Sequence, residues 1–153
     1  MSKSNSPQKF VFVADDDEDD RLLFLDAAAE LELPVLVRAA QDGQELLKAL
    51  HESVQQLPEI IFLDINMPGK NGFDCLREIR SAKEDFKAIK IGMLSTSSSP
   101  GHIDLSNELG ADFYAVKPSN YQDLKKLLER IFTKDWSSSH GLVKFLSLQQ
   151  SGF

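Results

Sequence analysis

Residues 59–72 read EIIFLDINMPGKNG. The run from Glu59 to Leu63 is short, apolar and rich in β-branched residues, which predicts a strand. It is apolar over most of its length, as expected of a parallel strand covered by helices on both faces. Asp64 sits at its end. The Asn71-Gly72 pair then precedes a segment with helical spacing.

Reading outward gives more runs of the same kind: Lys9 to Ala14, Pro34 to Ala39, Ile89 to Leu94, and a weaker one from Asp112 to Val116 that stops at Lys117-Pro118. Helical stretches separate them. Leu22, Leu23, Leu25, Ala29 and Leu33 give the first its apolar positions, and Leu46, Leu47 and Leu50 the second, opened by Asp42-Gly43. The third follows Asn71-Gly72, Pro100 starts a short fourth, and Leu124, Leu127, Leu128 and Ile131 stripe the fifth. Five alternating units predict an α/β fold, a doubly wound five-stranded parallel sheet with five alternating helices. Ligands in such folds bind at the carboxyl ends of the strands, near the point where strand order reverses. Asp15 and Asp16 (strand one), Asp64 (strand three), Ser95 (strand four) and Lys117 (strand five) should therefore meet at one edge.

The chain has 153 residues, 42% hydrophobic and 27% charged, which suits one globular domain. A net charge of −7 disfavours a nucleic-acid surface, since phosphate backbones are held by clustered Lys and Arg. No apolar run is long enough for a membrane span or secretory signal, and the lone Cys75 allows no internal disulfide, so a cytoplasmic protein is expected. Residues 1–8 read as a flexible polar tail and 9–132 as the domain. Residues 133–153, with Trp136, Leu142, Val143, Phe145 and Leu146, are expected to be either an extra helix packed on the domain or a partner-binding tail.

Three carboxylates at strand ends suit a hard divalent cation such as Mg²⁺, which binds oxygen ligands together with substrate phosphate. Left alone they would repel, and at least one would take up a proton. A cation and a Lys would polarise a phosphoryl group attacked by one carboxylate, giving an acyl phosphate. Asp17, Glu18, Asp19 and Asp20 read as a solvated helix start favoured by the macrodipole. His51, His102 and His140 lack zinc-ligand spacing, and Cys75 reads as a small buried thiol.

The runs VADDDEDDR (13–21) and FLDINMPGKNG (62–72), the Ser95-Thr96 pair after IGML, and Tyr114-Ala-Val-Lys117-Pro118 resemble response-regulator receiver domains over roughly residues 9–132. This flavodoxin-like receiver fold belongs to two-component signalling, and the likeness is strongest to single-domain members such as the chemotaxis regulator and phytochrome-linked regulators. The resemblance implies a single-domain response regulator, not an enzyme acting on a separate substrate. Asp64 would accept a phosphoryl group from a phosphohistidine on a sensor histidine kinase or histidine phosphotransfer protein. Asp15, Asp16, Asp64 and the Asn66 backbone carbonyl would hold Mg²⁺, while Lys117 and Ser95 would contact the phosphoryl oxygens. Asn66 and Ser97 would tune hydrolysis. Ser95 and Tyr114 would form the switch, with Tyr114 swinging inward, and a downstream protein would read the face of helix four, strand five and helix five. Position 95 carries Ser where Thr is frequent in the family. The Lys117-Pro118 peptide is expected to be cis. Two alternatives stand beside this: a haloacid-dehalogenase-type phosphatase, suggested by the Asp-x-Asp pattern of Asp15 to Asp17, and a receiver-like docking module that is not phosphorylated.

Overall fold

In a computed structural model, which describes residues 8–136 and the backbone of residues 144–146, the strands are β1 (Lys9–Ala14), β2 (Val35–Ala40), β3 (Ile60–Asp64), β4 (Lys90–Ser95), β5 (Phe113–Val116) and β6 (Lys144–Leu146). Between them lie helices α1 (Glu18–Glu30), α2 (Gly43–Glu52), α3 (Gly72–Ser81), α4 (Pro100–Glu108) and α5 (Tyr121–Thr133). All strand pairings are parallel and the order is β2-β1-β3-β4-β5-β6. Five βα units of a doubly wound fold are present as expected.

Alternation along β3 explains why an apolar run becomes its centre. Ile61 and Leu63 enter one core with Phe12, Leu46, Leu50, Leu76, Ile79 and Ile91, beneath α2 and α3. Ile60 and Phe62 enter the other with Val11, Val13, Phe24, Ala27, Leu127, Leu128 and Ile131, beneath α1 and α5. Every residue of β3 is buried. Strand side chains alternate between faces, so a strand covered on both must be apolar throughout.

Helix starts follow from side chains that accept the free backbone N–H groups of the first turn. Asp17, Asp42 and Asn120 cap α1, α2 and α5 by accepting from Asp20 N, Glu45 N and Asp123 N. Asn71 and Asp74 form a reciprocal capping box on α3. Pro100 occupies the start of α4, where its missing N–H costs nothing.

Three expectations are corrected. On α1, Leu22 and Leu23 are 52% and 42% exposed, and the buried stripe is Phe24, Ala27 and Ala28, with Leu31 packed beside it. That set has the i, i+3, i+4, i+7 spacing of one face, which the run of leucines obscured. The Lys117-Pro118 peptide is trans; an X–Pro bond prefers trans by only about 0.5–1 kcal/mol, so its isomer is set by surroundings rather than by sequence. In the C-terminal extension, residues 144–146 form a strand and not a helix, pairing with β5 from Phe113↔Lys144 to Ala115↔Leu146. An edge strand's unpaired N–H and C=O groups favour such addition. Trp136 stacks on Phe113 at 5.0 Å, and its indole N–H donates to the Ile131 carbonyl at 3.0 Å. The expected tail, residues 1–8, lies outside the described residues except for Gln8.

Candidate functional site

Strand order reverses between β1 and β3, because β1 continues to β2 on one side while β3 continues to β4 on the other. The crevice at their carboxyl ends is therefore where this fold places ligands. Asp15 directly follows β1 and Asp64 is the last residue of β3; both are buried, while Asp16 is exposed. One carboxylate oxygen from each of Asp15, Asp16 and Asp64 lies within 4.8 Å of the others.

Lys117 reaches this group from the end of β5. Its Nζ donates to Asp15 Oδ2 at 2.8 Å, to Asp20 Oδ2 at 3.1 Å and to Asp64 Oδ2 at 3.2 Å. Its own N–H donates to the Ser95 carbonyl at 2.8 Å, which ties the base of the side chain to the end of β4. Asp15 is further fixed by the Asp17 N–H on Oδ1 at 3.0 Å and by Arg21 Nη1 on its carbonyl at 2.8 Å. Asp64 Oδ1 accepts from the Asn66 N–H at 3.3 Å.

Burial raises the Asp64 carboxyl from its ordinary 3.8 to about 6, because a charge in a low-dielectric site loses hydration. Lys117 opposes that rise and the neighbouring Asp15 charge adds to it. Burial also works against the Lys117 ammonium, yet its hydrogen bond to Asp15 and the charges of Asp64 and Asp15 prevail and hold it above the usual lysine range. One ammonium thus serves more carboxylates than it can neutralise. The donors are hard oxygens carrying surplus negative charge, a set that fits a divalent cation.

The segment joining β3 to α3 is shaped by two glycines. Gly69 has φ +72°, a left-handed conformation that side chains disfavour. At Gly72 an added Cβ would stand 2.5 Å from the Asp64 carbonyl oxygen, so α3 starts as close to the end of β3 as backbone allows. Asp16, Asn66, Met67, Pro68, Phe73 and His102 line the open cleft beside it.

Ser95 and Tyr114, buried in neighbouring strands, are connected through Ser97. The Ser97 N–H donates to Ser95 Oγ at 3.0 Å, and the Tyr114 hydroxyl donates to the Ser97 carbonyl at 2.5 Å. The Tyr114 ring is fully buried. The Cys75 thiol is buried in the core beneath α2 and α3, where burial pushes it up to about 12. His51 pairs with Glu84 at 3.0 Å, and His102 packs edge-on against Phe73; His140 lies outside the described residues.

Asp20 is the residue that sequence reading missed. Assigned to a solvated helix start, it sits instead on Lys117 Nζ. The available signal was its place in the first turn of the helix that rises directly from the acidic strand end. Asp17, by contrast, is the N-cap of α1, its Oδ1 accepting from the Asp20 N–H at 3.1 Å.

Known proteins match this picture. The response regulator receiver domain family matches residues 11–129. Response regulator Rcp1 of Synechocystis sp. is 27% identical over 135 residues, an alignment covering 86% of this chain and 91% of Rcp1. The crystal structure of the phosphorylated cyanobacterial phytochrome response regulator RcpA superposes with a TM-score of 0.76 at 30% identity, covering 88% of this chain and 98% of RcpA. The Mn²⁺-bound form of Rcp1 superposes with a TM-score of 0.70 at 26% identity, covering 88% of this chain and 98% of that one.

Proposed function

The chain belongs to the response regulator receiver domain family, and we propose that it works as a single-domain response regulator of a two-component phosphorelay, phosphorylated on Asp64. The observation that carries this reading is Lys117 Nζ bridging Asp15 and Asp64, inside a group of three carboxylates within reach of one another. A solved relative holding a phosphoryl group and another holding Mn²⁺ support it.

Asp15, Asp16 and Asp64, with the Asn66 backbone carbonyl, would hold Mg²⁺. When bound, the cation supplies positive charge to the phosphoryl oxygens and keeps the carboxylates ionised. Asp64 is the nucleophile: one carboxylate oxygen bonds to phosphorus as the bond from phosphorus to the partner's imidazole nitrogen breaks, and the imidazole leaves with the electron pair and picks up a proton. With its pKa near 6, most Asp64 is ionised at neutral pH even before a cation arrives. Lys117 gives an N–H to a phosphoryl oxygen, and the Ser95 hydroxyl turns from the Ser97 N–H to another. Releasing Ser97 loosens the carbonyl that holds the Tyr114 hydroxyl, which couples the acceptor to the face of α4, β5 and α5. Asn66 and Ser97 flank the path of the water that later hydrolyses the acyl phosphate.

The phosphoryl donor would be a sensor histidine kinase or histidine phosphotransfer protein, and the reader a downstream protein docking on that face. The surplus of negative charge supports protein partners over direct nucleic-acid contact. Among the described residues no helix is long and apolar enough to cross a membrane.

Incubation with Mg²⁺ and acetyl phosphate, followed by intact mass, tests the proposal. A labile, Mg²⁺-dependent gain of one phosphoryl group, absent from Asp64→Asn, is expected. No gain by a folded, cation-binding protein would favour a docking module. Steady phosphate release requiring Asp15 would favour a phosphatase.

A further inference from the structure

An ammonium has three N–H donors and no acceptor. In Lys117 each donor has its own carboxylate, on Asp15, Asp20 and Asp64. No donor remains for a phosphoryl oxygen, so on the reading proposed above the arriving group must displace one of the three.

The three ties differ in how easily they break. Asp15 is the shortest at 2.8 Å, its side chain is 5% exposed, and the Asp17 N–H and Arg21 hold it from other directions. Asp64 is the nucleophile itself and stays beside Lys117 as the new bond forms; its side chain is 9% exposed. Asp20 lies at the rim with its side chain 43% exposed, on the first turn of α1. Its carboxylate recovers hydration on release, and the helix N-terminus favours its charge without Lys117. It also lines the cleft between α1 and α5 together with Lys117, Leu23 and Leu124, which leaves it space to turn away.

We infer that Asp20 is an anionic placeholder, a positioning residue that occupies one N–H of Lys117 in the resting protein and yields it to the phosphoryl group. Asp20 neither accepts phosphate nor replaces Asp15 in anchoring the lysine. It sets how readily Lys117 becomes available, and so slows phosphorylation in the absence of a specific partner.

Removing the charge frees the donor in advance. Asp20→Asn and Asp20→Ala are each expected to raise the rate of phosphorylation by acetyl phosphate about two- to fivefold, the factor an exposed ion pair contributes. Both should tighten beryllofluoride binding in the presence of Mg²⁺ by a similar factor, read by amide NMR titration. Because an exposed pair is screened, the difference from the parent chain should shrink as salt is raised. A readout without cation or donor is the ¹⁵N-detected Lys117 ammonium signal, whose proton exchange should quicken in both variants.

Unchanged or slower phosphorylation of folded Asp20→Asn, with the parent chain phosphorylated normally, would overturn the placeholder role and leave the proposed function intact. A parent chain that takes no phosphoryl group at all would overturn both. Faster phosphorylation with unaltered Lys117 exchange would also overturn it, because the gain would then not pass through the lysine.

Discussion

Asp64→Asn should make the cation-free protein more stable, although it removes a residue held by a lysine. The ionised carboxylate is worse off folded than unfolded, since its pKa rises from 3.8 to about 6, chiefly by burial. At 1.36 kcal/mol for each pH unit, that difference sets a ceiling of about 3 kcal/mol on the penalty at neutral pH. The amide still offers Lys117 an acceptor but loses the charge-assisted bond, so a net gain of about 1–2 kcal/mol is expected. The pH dependence has a definite sign. Between 3.8 and about 6 the folded chain keeps a proton that the unfolded chain has released. The stability linked to Asp64 is therefore full below 3.8 and is lost as pH rises through about 6. Urea unfolding in EDTA from about pH 4 to pH 8 measures it, and the difference between the two proteins cancels contributions from other groups. Added Mg²⁺ should stabilise the parent chain more than the variant, since binding to the folded state alone adds stability. A variant equal to or less stable than the parent near pH 7.5, or a difference that does not grow between pH 4 and pH 7.5, would refute the reasoning.

Arg80 donates to the carbonyls of Gly110, Phe86 and Ile89 and to Asp112 at 2.9–3.0 Å, so Arg80→Ala strips four charge-assisted bonds from a cluster that includes the partly buried Ile89 carbonyl and should cost about 2–4 kcal/mol in urea unfolding. Gly72→Ala drives a Cβ against the Asp64 carbonyl; a loss of about 1–3 kcal/mol is expected, with slower phosphorylation because the acceptor strand end must shift. The Cys75 thiol, pushed up to about 12 by burial, should resist Ellman's reagent at pH 8 in the folded protein and react fully in denaturant; rapid labelling of the native chain would contradict its packing.

The sequence alone determined the five βα units and the edge at which Asp15, Asp64, Ser95 and Lys117 assemble. Its signals were local: apolar runs, caps such as Asp42 and Asn71, and polar residues at strand ends, whose meeting follows from parallel topology. Boundaries moved by about a residue because ladder pairing, not side-chain character, ends a strand. Pro34 lacks an N–H and stays outside β2, whereas Asp64 is drawn into β3 opposite Leu94. Tertiary structure decided what depends on neighbours remote in the chain. The true face of α1 became plain only with α5 and Phe62 against Phe24. The isomer of Lys117-Pro118 and the strand at 144–146 depended on surroundings the local sequence does not encode. Asp20 is the sharpest case. Within the sequence it is one acid among six, but folding brings Lys117 across 97 positions to within 3.1 Å and gives that one a partner. Such a contact arises from where β5 ends relative to the first turn of α1, a distance fixed by the packing of the whole sheet.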